Sequence, residues 1–201
     1  AATPARATVA TDLCTGNPCT VTGAKTITPP VVLDVGTADL VFAASAVITV
    51  GPGADVRDVQ ILAKSITMQA GAKILGGGDL AMVTLNATGG TLRLLASGST
   101  KSRIDLSGNQ AGSLVLLATG NIEIAGPLTT AGSGTDSQGG DILIDSSGGA
   151  VTFRLRMASS PGSTVTEPVP TEACPAASST VRSTVTELVP WLTTAPTRVP
   201  A

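Results

Sequence analysis

The chain contains no histidine. That removes Ser-His-Asp and Cys-His nucleophilic catalysis, and the commonest zinc ligand, in one step. What remains for chemistry is carboxylates, guanidinium groups and thiols. Asp105 with Asp141 and Asp145 forms the candidate acid–base set, and Arg93 with Arg103 the candidate basic set. Clustered carboxylates, or a basic residue on one face, are what cleavage of an acidic polysaccharide needs. A sugar groove also wants aromatic platforms, and the only aromatics are Phe42, Phe153 and Trp191. The composition therefore favours solvated loop and strand-edge charges, and no catalytic residue is assigned.

Three other patterns carry some chemistry. GSTKS at 98–102 echoes a phosphate-binding loop, but it lacks the glycine before Lys101 and the spaced glycine upstream. Gly77-Gly78-Asp79 and Gly139-Gly140-Asp141 suggest calcium, yet the nine-residue calcium repeat is missing. Those aspartates read better as loop ends that hydrogen-bond their own backbone. The pairs Thr20/Thr22 and Thr26/Thr28 suggest an ice-binding face, but they do not recur along the chain. No cofactor and no metal ligand set is assigned.

The thiols are more informative. Cys14 and Cys19 flank TGNP, and Cys174 stands apart. A Cys-x4-Cys pair across an Asn-Pro turn can close a small disulfide loop in an oxidising compartment. A pair of reduced thiols is the alternative.

Charge narrows the partners. Twelve Lys and Arg against 14 Asp and Glu leave a net charge of −2, with no basic run. The footprint expected of a nucleic-acid or anionic-membrane binder is missing. No apolar stretch reaches the length of about 18 residues that a spanning helix needs. Ala1 in place of Met fits a processed or truncated chain, and AATPARA could open a mature exported protein.

The elements that would position these residues are visible between Ser113 and Asp141. Leu114/Leu116/Ala118, Ile122/Ile124 and Leu128/Thr130 alternate with small or polar residues, and glycines at 120, 126 and 132 separate them. Period-2 alternation sends alternate side chains to one face of a strand, and glycine lets the backbone turn sharply between strands. Three short strands with two corners and a loop make one coil of a parallel β-solenoid. An acidic residue and an aliphatic open earlier coils at Asp39-Leu40, Asp58-Val59 and Asp79-Leu80, at steps of 19 and 21 residues.

The inward set is Leu40/Phe42/Ala44, Ile48/Val50, Val59/Ile61/Ala63, Ile66/Met68/Ala70, Ile74, Leu92/Leu94/Ala96, Ile104/Leu106, Ile142/Ile144 and Val151/Phe153. Hydrophobic content of 42% with aromatic content of 1% suits such a core, because stacked aliphatic layers interlock without large rings. Residues 1–13 read as a loose lead-in, and the stretch from Cys19 to Gly36 as an irregular N-terminal cap. Solenoids need atypical ends because a terminal strand exposes an unpaired edge.

After Arg156 the character changes. Seven of the 13 prolines lie in 157–201, with a single glycine. Proline removes a ladder hydrogen bond, so this segment is not expected to supply pairing strands. It carries its own echo, STVTEPVP at 163–170 and STVTELVP at 183–190. Two readings stay open: a Ser/Thr/Pro-rich stalk or linker, and a frameshifted continuation of the repeat.

The unit G-x-I-x-I-x-G-x-L-x-x-A-G ending in GG-D-I-x-I resembles the repeats of filamentous-haemagglutinin-like and autotransporter-passenger-like bacterial surface proteins. The similarity covers about residues 38–153 and lies in core aliphatics and corner glycines. It implies a right-handed parallel β-helix and export to the cell surface or medium, often within a longer rod. It carries no catalytic residue onto this chain.

The expected fold is thus all-β, a right-handed parallel β-helix of five to six coils. Residues 1–19 form the lead-in and Cys loop, 20–156 the solenoid, and 157–201 a disordered tail. The expected function is a non-enzymatic, secreted or surface-displayed, adhesin-like structural segment, with a truncated fragment of a longer surface protein as one form of it. The alternative is a degenerate carbohydrate-active enzyme. Partners would be surface glycans, other proteins or further copies stacked end to end, with no nucleic acid and no membrane span.

Overall fold

The computed structural model describes residues 5–51, 58–77, 79–133, 139–154 and 179–182. They wind into a parallel β-solenoid with three sheets. The first sheet stacks Val31–Asp34, Asp58–Ala63, Met82–Ala87, Ser113–Ala118 and Ile142–Ser146. The second stacks Cys19–Val21, Asp39–Phe42, Ser65–Met68, Leu92–Leu94, Ile122–Ile124 and Val151–Phe153. The third stacks Ala5–Ala7, Ala24–Ile27, Val47–Val50, Lys73–Gly76, Arg103–Asp105 and Leu128–Thr129. The chain visits first, second and third sheet in turn, so each strand pairs with the one a coil earlier and a coil later.

Register turns the alternation of each strand into columns. In the first sheet Leu33, Ile61, Leu85, Leu116 and Ile144 stack in one line, and Ala63, Ala87, Ala118 and Ser146 in another. The second sheet stacks Cys19, Leu40, Ile66, Leu92, Ile122 and Val151, beside Val21, Phe42, Met68, Leu94, Ile124 and Phe153. Parallel pairing repeats at about 4.8 Å, the spacing at which aliphatic side chains touch directly. Ile61, Leu94, Leu116, Ile124 and Ile144 are all buried, as their spacing predicts.

The inward assignment needs correction at the corners. Ala44 and Ala96 are exposed and Ala70 only half-buried, while Ala46 and Ala72 are buried in their place. Each alternating run stops one residue early at the corner, where the backbone turns and the parity resets. Phe153 is 46% exposed because no strand continues its column among the described residues.

Both ends also depart from expectation. From Ala5 onward the lead-in is structured: Ala5–Ala7 pairs in parallel with Ala24–Ile27, and a helix spans Ala10–Leu13. That helix sits where a first-sheet strand would otherwise lie, packing on Val31–Asp34, with Leu13 buried against the core. Lys25 occupies a column otherwise held by Ile48, Ile74 and Ile104. Its Nζ donates to the Asp12 carbonyl at 2.8 Å. A cation thus meets carbonyls that the helix C-terminus leaves free.

At the other end Ser179–Arg182 pairs antiparallel with Ile142–Ser146. The tail therefore does supply a strand, through a stretch, STVR, that contains no proline. The rest of the tail, 155–178 and 183–201, lies outside the described residues, and the stalk, frameshift and disorder readings fall there.

Leu116 lies mid-column, fully buried between Leu85 and Ile144. Leu116→Ala should cost about 2–5 kcal/mol from lost burial and the cavity left behind. Leu116→Asp should abolish cooperative folding, because an unpaired carboxylate would sit in an apolar interior. Thermal melts followed by circular dichroism measure both, and an unchanged Tm for the aspartate variant would show that the column does not face inward.

Candidate functional site

The solenoid separates the candidate charges. Asp105 points outward from the third sheet, in register with Leu75 and Thr129. Asp145 stands on the first sheet beside Leu117, and Asp141 lies four residues before it, ahead of the same strand. At about 3.3 Å per residue that spacing puts roughly 13 Å between the two. Asp105, Asp141 and Asp145 therefore do not converge. Arg93 and Arg103 are likewise split between the second and third sheets.

Each arginine instead has its own carboxylate. Arg93 stacks directly on Glu123 and pairs with it at 3.0 Å. Arg154 reaches the other Glu123 oxygen at 2.8 Å, making a ladder down the outer face of the second sheet. Neither Glu123 nor Arg154 stands out in the sequence. They meet only because coils about 30 residues apart in the chain stack in register.

On the third sheet Arg103 pairs with Asp105, two residues along the same strand. Partial burial pushes the Asp105 carboxyl up, but hydrogen bonds from the Ser107 hydroxyl and backbone N–H, with the Arg103 charge, outweigh it. The net shift is downward. A general acid needs the opposite shift. Asp12 is also lowered, chiefly by the backbone N–H groups of Thr8 and Val9, which lock the turn into the capping helix.

The remaining motifs resolve into structure. GSTKS forms the tip and return of an antiparallel hairpin, Ala96–Ser97 with Thr100–Lys101, projecting between second and third sheets. Gly98 turns it with φ of +59°, a left-handed conformation that favours glycine. Gly140 packs on the Gly112 backbone, where a Cβ would collide with the Gly112 carbonyl. Asp79 accepts from the Gln110 backbone N–H at 3.0 Å, so it ties two coils together rather than bonding its own loop.

Among the described residues no three His, Cys, Asp or Glu side chains gather closely enough to hold an ion. Thr26 stacks on Thr49, but the column continues as Leu75 and Asp105. A flat threonine array is not built. Among the described residues no helix is long and apolar enough to cross a membrane.

Cys14 and Cys19 are joined in a disulfide, with their Cα atoms 5.3 Å apart. The bond ties the end of the capping helix to the first strand of the second sheet. Cys14, Thr15, Gly16, Asp34 and Val35 line an open hollow beside it.

The fold and this geometry define a class, a parallel β-solenoid that carries three outward ion pairs among its described residues. No protein-family model, curated protein or solved structure matches the chain.

Two outcomes follow. Closing so short a loop stabilises by about 2 kcal/mol in the chain-entropy view. Cys14→Ala/Cys19→Ala should therefore lower Tm and speed hydrogen exchange at Ala5–Ala7, while Leu85 and Leu116 amides stay protected. Uniform loss of protection would mean that the disulfide supports the whole solenoid rather than its cap.

For Asp105 the folded pKa lies below the ordinary 3.8, so its contribution is present above that value and lost as pH falls through the folded one. The pair is partly exposed and worth less than about 1 kcal/mol. The Tm gap between parent and Asp105→Asn should close in acid. A gap that widens there would contradict the assigned pairing.

Proposed function

We propose that this chain is a non-enzymatic structural segment of a secreted or surface-displayed protein, adhesin-like in use. The observation that carries the reading is the dispersal of its charges. Asp145 stands on the first sheet and Arg93 on the second, Arg103 and Asp105 pair with each other on the third, and Arg93 and Arg154 share Glu123. Polysaccharide cleavage needs the reverse, groups that converge on one bond with an acid held protonated. A prism whose charges are dispersed over its faces suits display, spacing and weak multivalent contact with surface glycans or proteins. The Cys14–Cys19 bond agrees with an oxidising compartment, where disulfides persist.

The carbohydrate-active alternative makes a different forecast. The purified full chain, incubated with acidic and neutral polysaccharides, should leave polymer length unchanged while being retained on beads coated with surface glycans or surface proteins. Depolymerisation that disappears in Asp105→Asn or Arg93→Ala would overturn the structural reading in favour of the enzyme. Absence of retention on every coated surface would remove the adhesin-like part.

A further inference from the structure

We infer that Asn86 is a modification site, the acceptor of an N-linked sugar. The inference rests on the reading of an exported chain, because such acceptors belong to the surfaces of secreted proteins. Asn86-Ala87-Thr88 is an Asn-x-Thr triplet whose middle residue is not proline. The other three asparagines fail that requirement. Asn17 is followed by Pro18, Asn109 leads to Ala111 and Asn121 to Glu123, so none has a hydroxyl two residues on.

The fold decides which way the amide points. Along Met82–Ala87, Val83, Leu85 and Ala87 are buried, while Thr84 and Asn86 are half-buried on the outer face. Leu85 and Ala87 hold this orientation. Leu85 stacks between Ile61 and Leu116, and Ala87 between Ala63 and Ala118. Turning Asn86 inward would move both of them out into water, so the register keeps the amide outside. Thr88 lies just past the strand, in an exposed turn.

The neighbours of Asn86 suit a sugar. Leu62 lies one coil below it and Leu117 one coil above, both outward and half-buried. Parallel strands put each about 4.8 Å away. Outward packing does not require leucine, since the second sheet shows Thr67, Arg93, Glu123 and Thr152 in its outer column. A pyranose ring has one face made of C–H groups. Resting that face on Leu62 and Leu117 removes apolar surface from water, while the hydroxyls opposite stay solvated.

In the transfer, Asn86 Nδ2 attacks the anomeric carbon of a sugar activated as a diphosphate. A C–N bond forms, the C–O bond to the diphosphate breaks, and the diphosphate leaves with that electron pair. The amide gives one proton to a base of the transferase. The hydroxyl two residues on is the group that completes the acceptor triplet. In the folded chain the Thr88 hydroxyl donates to the Ala63 carbonyl at 3.1 Å, beside the Thr88 N–H at 2.8 Å. Stacking of the coils thus ties the triplet into the ladder. Transfer therefore precedes closure of this coil, while the triplet can still enter an enzyme site.

The test compares the full chain with three variants, all made in the cells that naturally produce it and recovered from lysate and medium. Intact mass and electron-transfer fragmentation of peptides locate any added sugar. Hexose or N-acetylhexosamine units should sit on Asn86, with none on Asn109 or Asn121, which are exposed but lack the hydroxyl. Asn86→Gln and Thr88→Ala should lose the added mass, and Thr88→Ser should keep it. Both non-acceptor variants should retain the parent's circular-dichroism spectrum, which separates loss of the acceptor from loss of the fold. A bare Asn86 in a chain whose Cys14–Cys19 bond is closed overturns the inference and leaves export standing. A bare Asn86 with both thiols free overturns export and the inference together. A sugar that survives Thr88→Ala, or one found on Asn109 or Asn121, would also overturn it.

Discussion

In-register stacking of like side chains along the solenoid axis is the interaction on which every other feature rests. A parallel ladder places each inward residue directly on the equivalent residue of the next coil, about 4.8 Å away. Leu, Ile, Val and Met fill that spacing without strain, and a ring does so only with help from its neighbours. Phe42 is the one fully buried aromatic among the described residues, and it stacks between short Val21 and flexible Met68. The near-absence of aromatics is thus a packing requirement. So is the shortness of the strands, because each sheet must turn away before its alternating face runs past the core.

A stacked core has no intrinsic end, and the two termini handle this differently. At the N-terminus, Lys25 breaks the aliphatic column, the helix covers the first sheet and a disulfide ties that helix to the second. The lysine satisfies a helix carbonyl, the helix covers an edge of the first sheet, and the disulfide tethers that cover. At the C-terminal end of the described residues one antiparallel strand, Ser179–Arg182, is added to the first sheet.

The outward faces are released from the packing requirement, and their chemistry is correspondingly varied. The second sheet shows Thr67, Arg93, Glu123 and Thr152 in succession, and the first shows Gln60, Thr84, Val115 and Leu143. Among the described residues, charges that approach one another do so as opposite partners, one coil apart at Glu123 and along one strand at Arg103 and Asp105, as like charges that close would repel. Exposed pairs of this kind contribute little to stability. They set the character of a surface.

Much of this was legible in the residues themselves. Runs such as Leu114/Leu116/Ala118 and Ile122/Ile124, with glycine between them, encode strand, face and corner through local sterics. The inward set was therefore correct at mid-strand. The errors fall where local pattern gives out. Ala44 and Ala96 continue the alternation on paper, but the chain turns there and parity resets. The strand at Ala5–Ala7 is only three residues long, too short for its alternation to mark it, and the neighbouring Ala24–Ile27 edge recruits it. Ser179–Arg182 is recruited in the same way inside a proline-rich segment. Glu123 finds Arg93 and Arg154, and Lys25 finds a helix carbonyl, because of which coil stacks on which. Alternation within a strand is a property of consecutive residues and their own dihedrals. Register between strands depends on coil lengths, loop by loop, and exists only once the coils have closed on one another.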